Sequence, residues 1–360
     1  MFRDNFSLVS LKIGIARSLN YLSKIPEDRS FHFGENDFTA AHLKNSLFIF
    51  SYLLQERHSH VGLTRLIYEN FDIYRAVGAA DSGEVLVTGY YEPVLNGSLE
   101  KRPPYLYPLY TVPSDLVKLA ASGKHPKKVY RMEAGKQVPY WSRARIEKEG
   151  KLHGQELVFL EDPIDAFILH IQGSGRIRLP SGAIRGVGYA GDNGLEYSSI
   201  GRLLVARGKM SLEEVDMPRI IRYLKDHPDE QEEIFHHNAR FIFFQWRDDG
   251  GFFGSSGPVG SIGEHLTAGR SVALDQRCFP AGALGFLQTK IPAMDDQGRP
   301  VGMKPFSRFV LNQDSGSAIK GAGRIDIFLG NGASAGHAAG LMKEPGRLYF
   351  FVKKKSRQHF

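Results

Sequence analysis

Cysteine is nearly absent. Cys278 is the only one in 360 residues, so no disulfide forms within the chain and a cysteine-rich zinc site is excluded. That fits a reducing compartment, and equally a secreted protein that manages without disulfides. Long apolar runs are missing too. The most apolar stretch, LFIFSYLL at 47–54, is far shorter than the roughly 20 residues a membrane helix needs. The first residues, MFRDNFSLVSLKIGIARSLNYL, lack a clean signal peptide because Lys12 and Arg17 interrupt the apolar run, and no nearby cysteine could carry a lipid. The sequence therefore fits a cytosolic protein, or one whose export segment lies outside these residues.

Several chemical signatures are also lacking. There is no GxxxxGK[ST] phosphate loop. GNGASAG at 330–336 misses the dinucleotide fingerprint by its spacing, and no clear long helix is expected after its strand. QGSGR at 172–176 lacks the first glycine of the serine elbow, so Ser174 reads as a turn or hydrogen-bonding residue rather than a nucleophile. None of the 13 histidines has HExxH spacing, and HSH and HH stand without a clear carboxylate pattern, so a histidine metal site is not expected. The net charge is +7, which favours an anionic partner. The only dense basic block is the tail KKKSR, so nucleic acid is not the expected one.

What is present is a chain of two-domain length with 42% hydrophobic residues. Residues 1–75 read as a helical segment covering one side of a sheet: Leu8, Leu11, Ile15, Leu19 and Leu22 recur at helical spacing, and FTAAHLKNSLFIFSYLLQERH and GLTRLIYENFDIYRAVG repeat the pattern. From Glu84 the texture is β. EVLVTGYYEPVL reads as a strand, and RPPYLYPLYTVP as an extended connection or edge. ELVFLED, DAFILHIQGSG and RIRLPSGAIRGVGYAG follow as short strands, suggesting a barrel or sandwich. Helices return at SSIGRLLVARGKMSLEEV and MPRIIRYLKDHPDEQEEIFHHN, with Ser211 and Glu214 forming a capping box. Strands resume at RFIFFQW, SVALD, LGFLQTKIP, SRFVLNQD, RIDIFLG and RLYFFV. The strand at 84–90 would suit the C-terminal set, making the middle region an insertion.

The carboxylates on this β framework are the chemical signal. Asp275 ends SVALD, Asp314 ends SRFVLNQD, and Asp326 interrupts RIDIFLG. A carboxyl beside a core is partly desolvated, which raises its pKa and suits it to donate a proton near neutrality. Adjacent glycines let a polymer approach the backbone. The same aspartates would also serve as turn caps. An aspartic protease is a competing reading, because LNQDSGSA and GAADSGEV offer two D-S-G units. Against it, Glu84 stands where a small hydroxyl residue is expected, and no strong strand precedes Asp81, which reads as a turn. Tyrosines scattered through GYYEP, YLYPLY and GYAGDNGLEYSSIG suit sugar rings, though tyrosine is also a good strand former.

VTGYYEP, WSRARIE, DAFILHIQGSGRIRLPSG, VGYAGDNGLEYSSIGRLL, FIFF, LTAGRSVALD, DSGSAIKGAGRIDIFLGNG and AGHAAGLM occur in that order. Together, from about residue 80 to 352, they closely resemble the membrane-bound lytic murein transglycosylase A (MltA) family. The C-terminal part resembles the 3D domain, named for three aspartates, which here fall on Asp275, Asp314 and Asp326. The chain departs from the family's D-[TV]-G-G-A-I-K-G at Ser317, and the family's lipoprotein signal is not seen.

The resemblance implies a mainly β protein with a helical N-terminal segment. It implies a double-psi β-barrel from residues 76–100 and 245–352, and a second β-barrel domain, 101–244, inserted into it. A groove between them would take the glycan strand. The implied reaction cuts the β-1,4 bond between N-acetylmuramic acid and N-acetylglucosamine, with the muramyl C6 hydroxyl attacking its own C1. Ordinary glycosidases need two carboxylates, ~5–5.5 Å apart when retaining and ~6.5–9.5 Å when inverting. An internal nucleophile needs one acid, and the family match puts it at Asp326. Asp314 and Asp275 would position the sugar or tune Asp326, and Lys320 would pair with Asp314 or else stabilise developing negative charge. No metal or organic cofactor is implied. Thr88, Gly89 and Tyr90 would line one wall; Gln172, Gly173, Ser174, Tyr189, Asn193 and Tyr197 would line the other. The implied partners are peptidoglycan glycan strands and a cell-wall synthesis or hydrolysis complex. The implied location is the periplasm, with outer-membrane association in the full-length protein. A non-catalytic glycan-binding or expansin-like module on the same barrel is the remaining alternative.

Overall fold

The computed structural model describes residues 2–55, 59–119, 128–247, 257–316 and 318–355. His58, Ser317, Ser356 and Arg357 lie outside them. The chain forms two compact units, Met1–Tyr91 with Phe253–Phe360, and Glu92–Phe252.

The first unit opens with α1 (Leu8–Ser23), the hairpin β1 (Ser30–Phe33) and β2 (Asn36–Thr39), α2 (Ala40–Leu53), α3 (His60–Asn70), β3 (Phe71–Arg75) and β4 (Val85–Glu92). Thr39 starts α2 by accepting from the His42 N–H, and Ser59 starts α3 by accepting from Gly62. Leu11, Ile15 and Leu22 of α1 and Leu43, Leu47 and Phe50 of α2 enter the main core, whereas Leu8 stays exposed. The expectation that residues 1–75 are helical is corrected at two places. Residues 30–39 form a hairpin. FDIYR leaves the helix at Asn70 and pairs with the C-terminal strand, where its β-branched and aromatic side chains gain a ladder as well as burial. A short 3-10 turn, Ala79–Asp81, precedes β4; Asp81 is exposed there with φ 57°, a turn residue and not half of a catalytic pair.

The second unit comprises β5 (Val94–Ser98), β6 (Tyr107–Tyr110), β7 (Val117–Leu119), β8 (Lys128–Glu133), β9 (Lys136–Pro139), α4 (Arg143–Lys148), β10 (Glu156–Leu160), α5 (Pro163–Gln172), β11 (Ser174–Arg178), β12 (Ile184–Asp192), α6 (Ile200–Ala206), α7 (Met217–Asp226), α8 (Gln231–His237) and β13 (Ile242–Arg247). Six strands form a sheet in the order β13-β12-β11-β5-β10-β6, and β7-β8-β9 form a smaller one. The larger sheet curls until Tyr110 of the β6 edge lies 6.1 Å, ring to ring, from Phe241 at the start of β13. DAFILHIQ is a helix, not the expected strand. Asp162 caps it through the Ile164 N–H, Pro163 occupies its first turn, and Gly173 ends it at φ 78°. Its apolar residues are buried all round, which hides helical periodicity. Ser211 and Glu214 bond as a capping box but close only a turn; α7 starts at Asp216 instead. β5 and β13 pair inside this unit, so the boundaries expected at residues 100 and 245 each fall several residues away from where the contacts divide.

The chain returns to the first unit with β14 (Ser271–Ala273), β15 (Leu284–Met294), β16 (Pro300–Asp314), β17 (Arg324–Asn331), α9 (Gly332–Leu341) and β18 (Lys343–Lys353). The sheet order β15-β16-β14-β17-β4-β18, with β15 also pairing β18, closes a six-stranded barrel, and β3 adds outside β18. β14 runs parallel to β16 and antiparallel to β17. α9, a helix of 10 residues, follows β17 directly where no clear long helix is expected. Phe286, Phe309 and Phe351 carry the main core between the barrel strands and the N-terminal segment: Phe286 and Phe309 lie 4.9 Å apart, Phe50 of α2 lies 4.8 Å from Phe309, and Phe2 packs on Phe286 and Phe351. Among the described residues no helix is long and apolar enough to cross a membrane.

Candidate active site

Strand alternation decides which way each aspartate points. Ile325 and Ile327 are fully buried in the barrel core, so Asp326 between them faces outward. Val272 of β14 and Leu274 just beyond it enter the same core, and Ala273 between them alternates out. Ala273 is the register partner of Asp326 on one side and of Asp314 on the other, past a bulge between Asn312 and Asp314. The two aspartates therefore flank Ala273 in one row across three strands, about 10 Å apart along the backbone row. On β4, Val85 and Val87 are core residues, which turns Thr88 and Tyr90 outward beside β17.

Asp314 is held by its surroundings. Its Oδ2 accepts from the Tyr90 hydroxyl at 2.8 Å and its Oδ1 from the Ser261 N–H at 2.9 Å. Burial still pushes its pKa up, against those hydrogen bonds. Burial, followed by the Asp314 charge, pushes the Tyr90 phenol well above its ordinary value, so it remains a donor. The Tyr90 ring lies 5.4 Å from that of Phe328, two residues after Asp326.

Asp326 is different. Its Oδ1 is buried and has no hydrogen-bond partner among the described residues. Burial pushes its carboxyl up to about 6; the Thr88 hydroxyl and the Arg324 charge oppose that, and Asp314 adds to it. Arg324 contacts the Thr88 Oγ1 at 3.5 Å and the Ala318 carbonyl at 3.3 Å, and its Nε is buried without a partner among the described residues. A carboxyl of this kind carries a proton at mildly acidic pH and can give it to a bound oxygen.

The other expected residues divide. Asp275 has partners of its own. Arg277 grips it through Nε at 3.0 Å and Nη2 at 2.6 Å, the Gly321 N–H donates to it at 2.8 Å, and these bonds hold it well below the usual carboxylate range. It anchors the turn at 275–279 to the glycine-rich stretch before β17. Lys320 is exposed, and the expected ion pair with Asp314 gives way to Tyr90 and Ser261. Gly89 points inward: a Cβ there would lie 2.8 Å from Leu329 Cδ1 and 3.3 Å from Met342 Sδ, so this glycine serves close packing under α9 rather than the outer face.

In the second unit Gln172 ends α5, Gly173 terminates it, and Ser174 pairs with Gly188 at the start of β11. Tyr189 and Tyr197 keep exposed rings, and the Tyr189 hydroxyl bonds Asp192. Asn193 is wholly buried. Its Nδ2 donates to the Trp141 and Ala239 carbonyls, both at 2.9 Å, and its Oδ1 accepts from Phe241 N–H at 3.0 Å and Leu195 N–H at 3.3 Å. Its amide is saturated by the fold and cannot also bind a sugar. Sequence reasoning missed Ser261 and Arg324. Arg324 sits two residues before Asp326, a same-face spacing that could have flagged it; Ser261 acts through a backbone N–H and left no signal.

With this geometry in hand, the likeness to known proteins is specific. Residues 86–245 match the MltA specific insert domain, and residues 270–352 match the 3D domain. The membrane-bound lytic murein transglycosylase A of Escherichia coli (strain K12) is 31% identical over 281 residues, covering 77% of this chain and 68% of that protein. The crystal structure of a membrane-bound lytic murein transglycosylase from Agrobacterium tumefaciens superposes with a TM-score of 0.74 at 29% identity, covering 95% of this chain and 92% of that one. The lytic transglycosylase LtgG of Burkholderia pseudomallei gives 0.56 at 31% identity, covering 97% and 91%. The closed barrel is the double-psi β-barrel of these enzymes, and the chain belongs to the membrane-bound lytic murein transglycosylase A family.

Proposed function

We propose that this chain is a peptidoglycan lytic transglycosylase in which Asp326 is the single acid and base. The observation that carries the assignment is the Asp326 Oδ1, buried and without a partner among the described residues, on a carboxyl pushed up to about 6. Protonated Asp326 donates to the oxygen linking N-acetylmuramic acid to N-acetylglucosamine, and the C1–O bond breaks. The muramyl C6 hydroxyl closes on C1, and its proton returns to the Asp326 carboxylate. The 1,6-anhydro product forms without water, and the carboxyl is restored. Because the nucleophile is the substrate's own hydroxyl, Asp314 need not be a second catalytic carboxylate at retaining or inverting spacing. It acts instead as a fixed charge that keeps Asp326 protonated to higher pH.

Family membership supports a cell-envelope location, and association with the outer membrane is part of the proposal. Tyr189 and Tyr197 are the better sugar-contact residues of the second unit, since their rings are exposed while Asn193 is saturated. The deciding experiment is mass spectrometry of soluble products from purified murein, wild type beside Asp326→Ala. Muropeptides one water lighter than hydrolysis products, absent with the variant, are expected. Products of hydrolytic mass would replace the mechanism by a two-carboxylate one. Binding without release by either protein would make this a glycan-binding module.

A further inference from the structure

Asp314 owes its position to two neighbours that reach back to the N-terminal helix. Gln313, next to it on β16, is wholly buried and is the extra residue of the bulge between Asn312 and Asp314, so its placement sets where the strand resumes at Asp314. Its Nε2 donates to the Gly14 carbonyl at 2.7 Å and the Ser18 hydroxyl at 2.9 Å, both on α1, and its Oε1 accepts from Ser271 Oγ at 2.5 Å. The Ser271 hydroxyl in turn accepts from the Thr267 N–H at 2.7 Å. The loop that supplies Ser261 is tied to the same helix. Glu264 accepts from Asn20 at 2.6 Å and Lys24 at 2.7 Å, and Arg17 donates to Thr267 at 2.7 Å. That loop lies against Gln313, since a Cβ on Gly260 would stand 2.5 Å from the Gln313 carbonyl oxygen.

We infer that Gln313 is a positioning residue for the reaction: clamped to α1 through Ser18 and Gly14, it fixes where the Asp314 carboxylate stands relative to Asp326. This rests on the reading of Asp326 as the acid. A buried amide is a directional choice, because an apolar side chain of equal size would fill the space but leave the Gly14 carbonyl and the Ser18 and Ser271 hydroxyls without it. Only the amide fixes both strand and helix at once. Tyr90 on β4, Arg324 and Asp326 on β17, and Ser261 in the loop face Asp314 or its partner acid; Gln313 is uncharged and alters the site only through geometry.

The test compares wild type, Gln313→Met and Ser18→Ala for release of 1,6-anhydro products across pH, with thermal melting alongside. Gln313→Met is expected to lower kcat about tenfold while KM changes less than about twofold, a split that marks loss of transition-state geometry rather than binding. The alkaline limb should move to lower pH, because a displaced Asp314 charge no longer helps Asp326 keep its proton. Ser18→Ala should shift both in the same direction by less, and Ser18→Thr, which keeps the hydroxyl, should restore them. Wild-type kcat and alkaline limb in folded Gln313→Met overturn the inference. If that variant does not fold, Ser18→Ala decides: a lowered melting temperature with an unmoved limb overturns it equally. Absence of anhydro product from wild type overturns the functional reading and this inference with it; a wild-type product with unmoved variants overturns the inference alone.

Discussion

The outward face of β17 and the corner after β12 both carry polar residues that a sequence reader would assign to a glycan. They are built in opposite ways. At the corner Asn193 makes four hydrogen bonds to backbone and leaves nothing over. On β17 the Asp326 Oδ1 is buried with no partner among the described residues. A saturated buried group stabilises the fold; an unsatisfied one costs stability and is kept where chemistry needs it.

The strongest way to break that contrast is Asn193→Ala. It should destabilise the protein by about 3–5 kcal/mol, since two carbonyls and two N–H groups lose their partners, and any activity loss should follow unfolding in chemical denaturation. Asp326→Asn should do the reverse. A carboxyl raised from 3.8 to about 6 stabilises the fold fully only below its unfolded pKa, and that contribution is lost as pH rises through about 6. The variant should therefore be more stable than wild type by about 1–3 kcal/mol at pH 8 while releasing no anhydro product, with the gap closing below about pH 4 in thermal melts.

Tyr90→Phe sharpens the contrast from the supporting side. Asp314 loses a hydrogen bond that lowers its pKa, spends more time neutral, and helps Asp326 less. The alkaline limb of kcat/KM, expected near 6 in wild type, should move to lower pH with a several-fold loss of rate. Asp275→Asn should have the smallest effect, about 1 kcal/mol, because Arg277 is mostly exposed. Its folded pKa is depressed, so the difference from wild type should be present at neutral pH and fade as pH falls below about 4.

Much of this was legible in the chain. Alternation around Asp326 in RIDIF places it opposite two core isoleucines, and a strand end located Asp314, whereas Tyr90 came from the family resemblance. α5 was misread because a helix buried on all sides shows no period, and β3 because pairing with a strand about 275 residues later outweighs local helical pattern. Asn193 looked like a binding residue because sequence shows a side chain's donors and acceptors but not who already occupies them. The clamp on Gln313 links residues 299 and 295 positions apart, beyond any local signal.

β4 lies between β17 and β18, so strands made early wait for partners made last. During synthesis β4 and β3 emerge with bare edges, and the whole second unit is translated before either finds its neighbour. A chain clipped before Lys343 would keep Asp326 and Thr88 yet have no closed barrel to align them. The alignment of residues from three distant stretches of chain thus depends on the last strand to be translated.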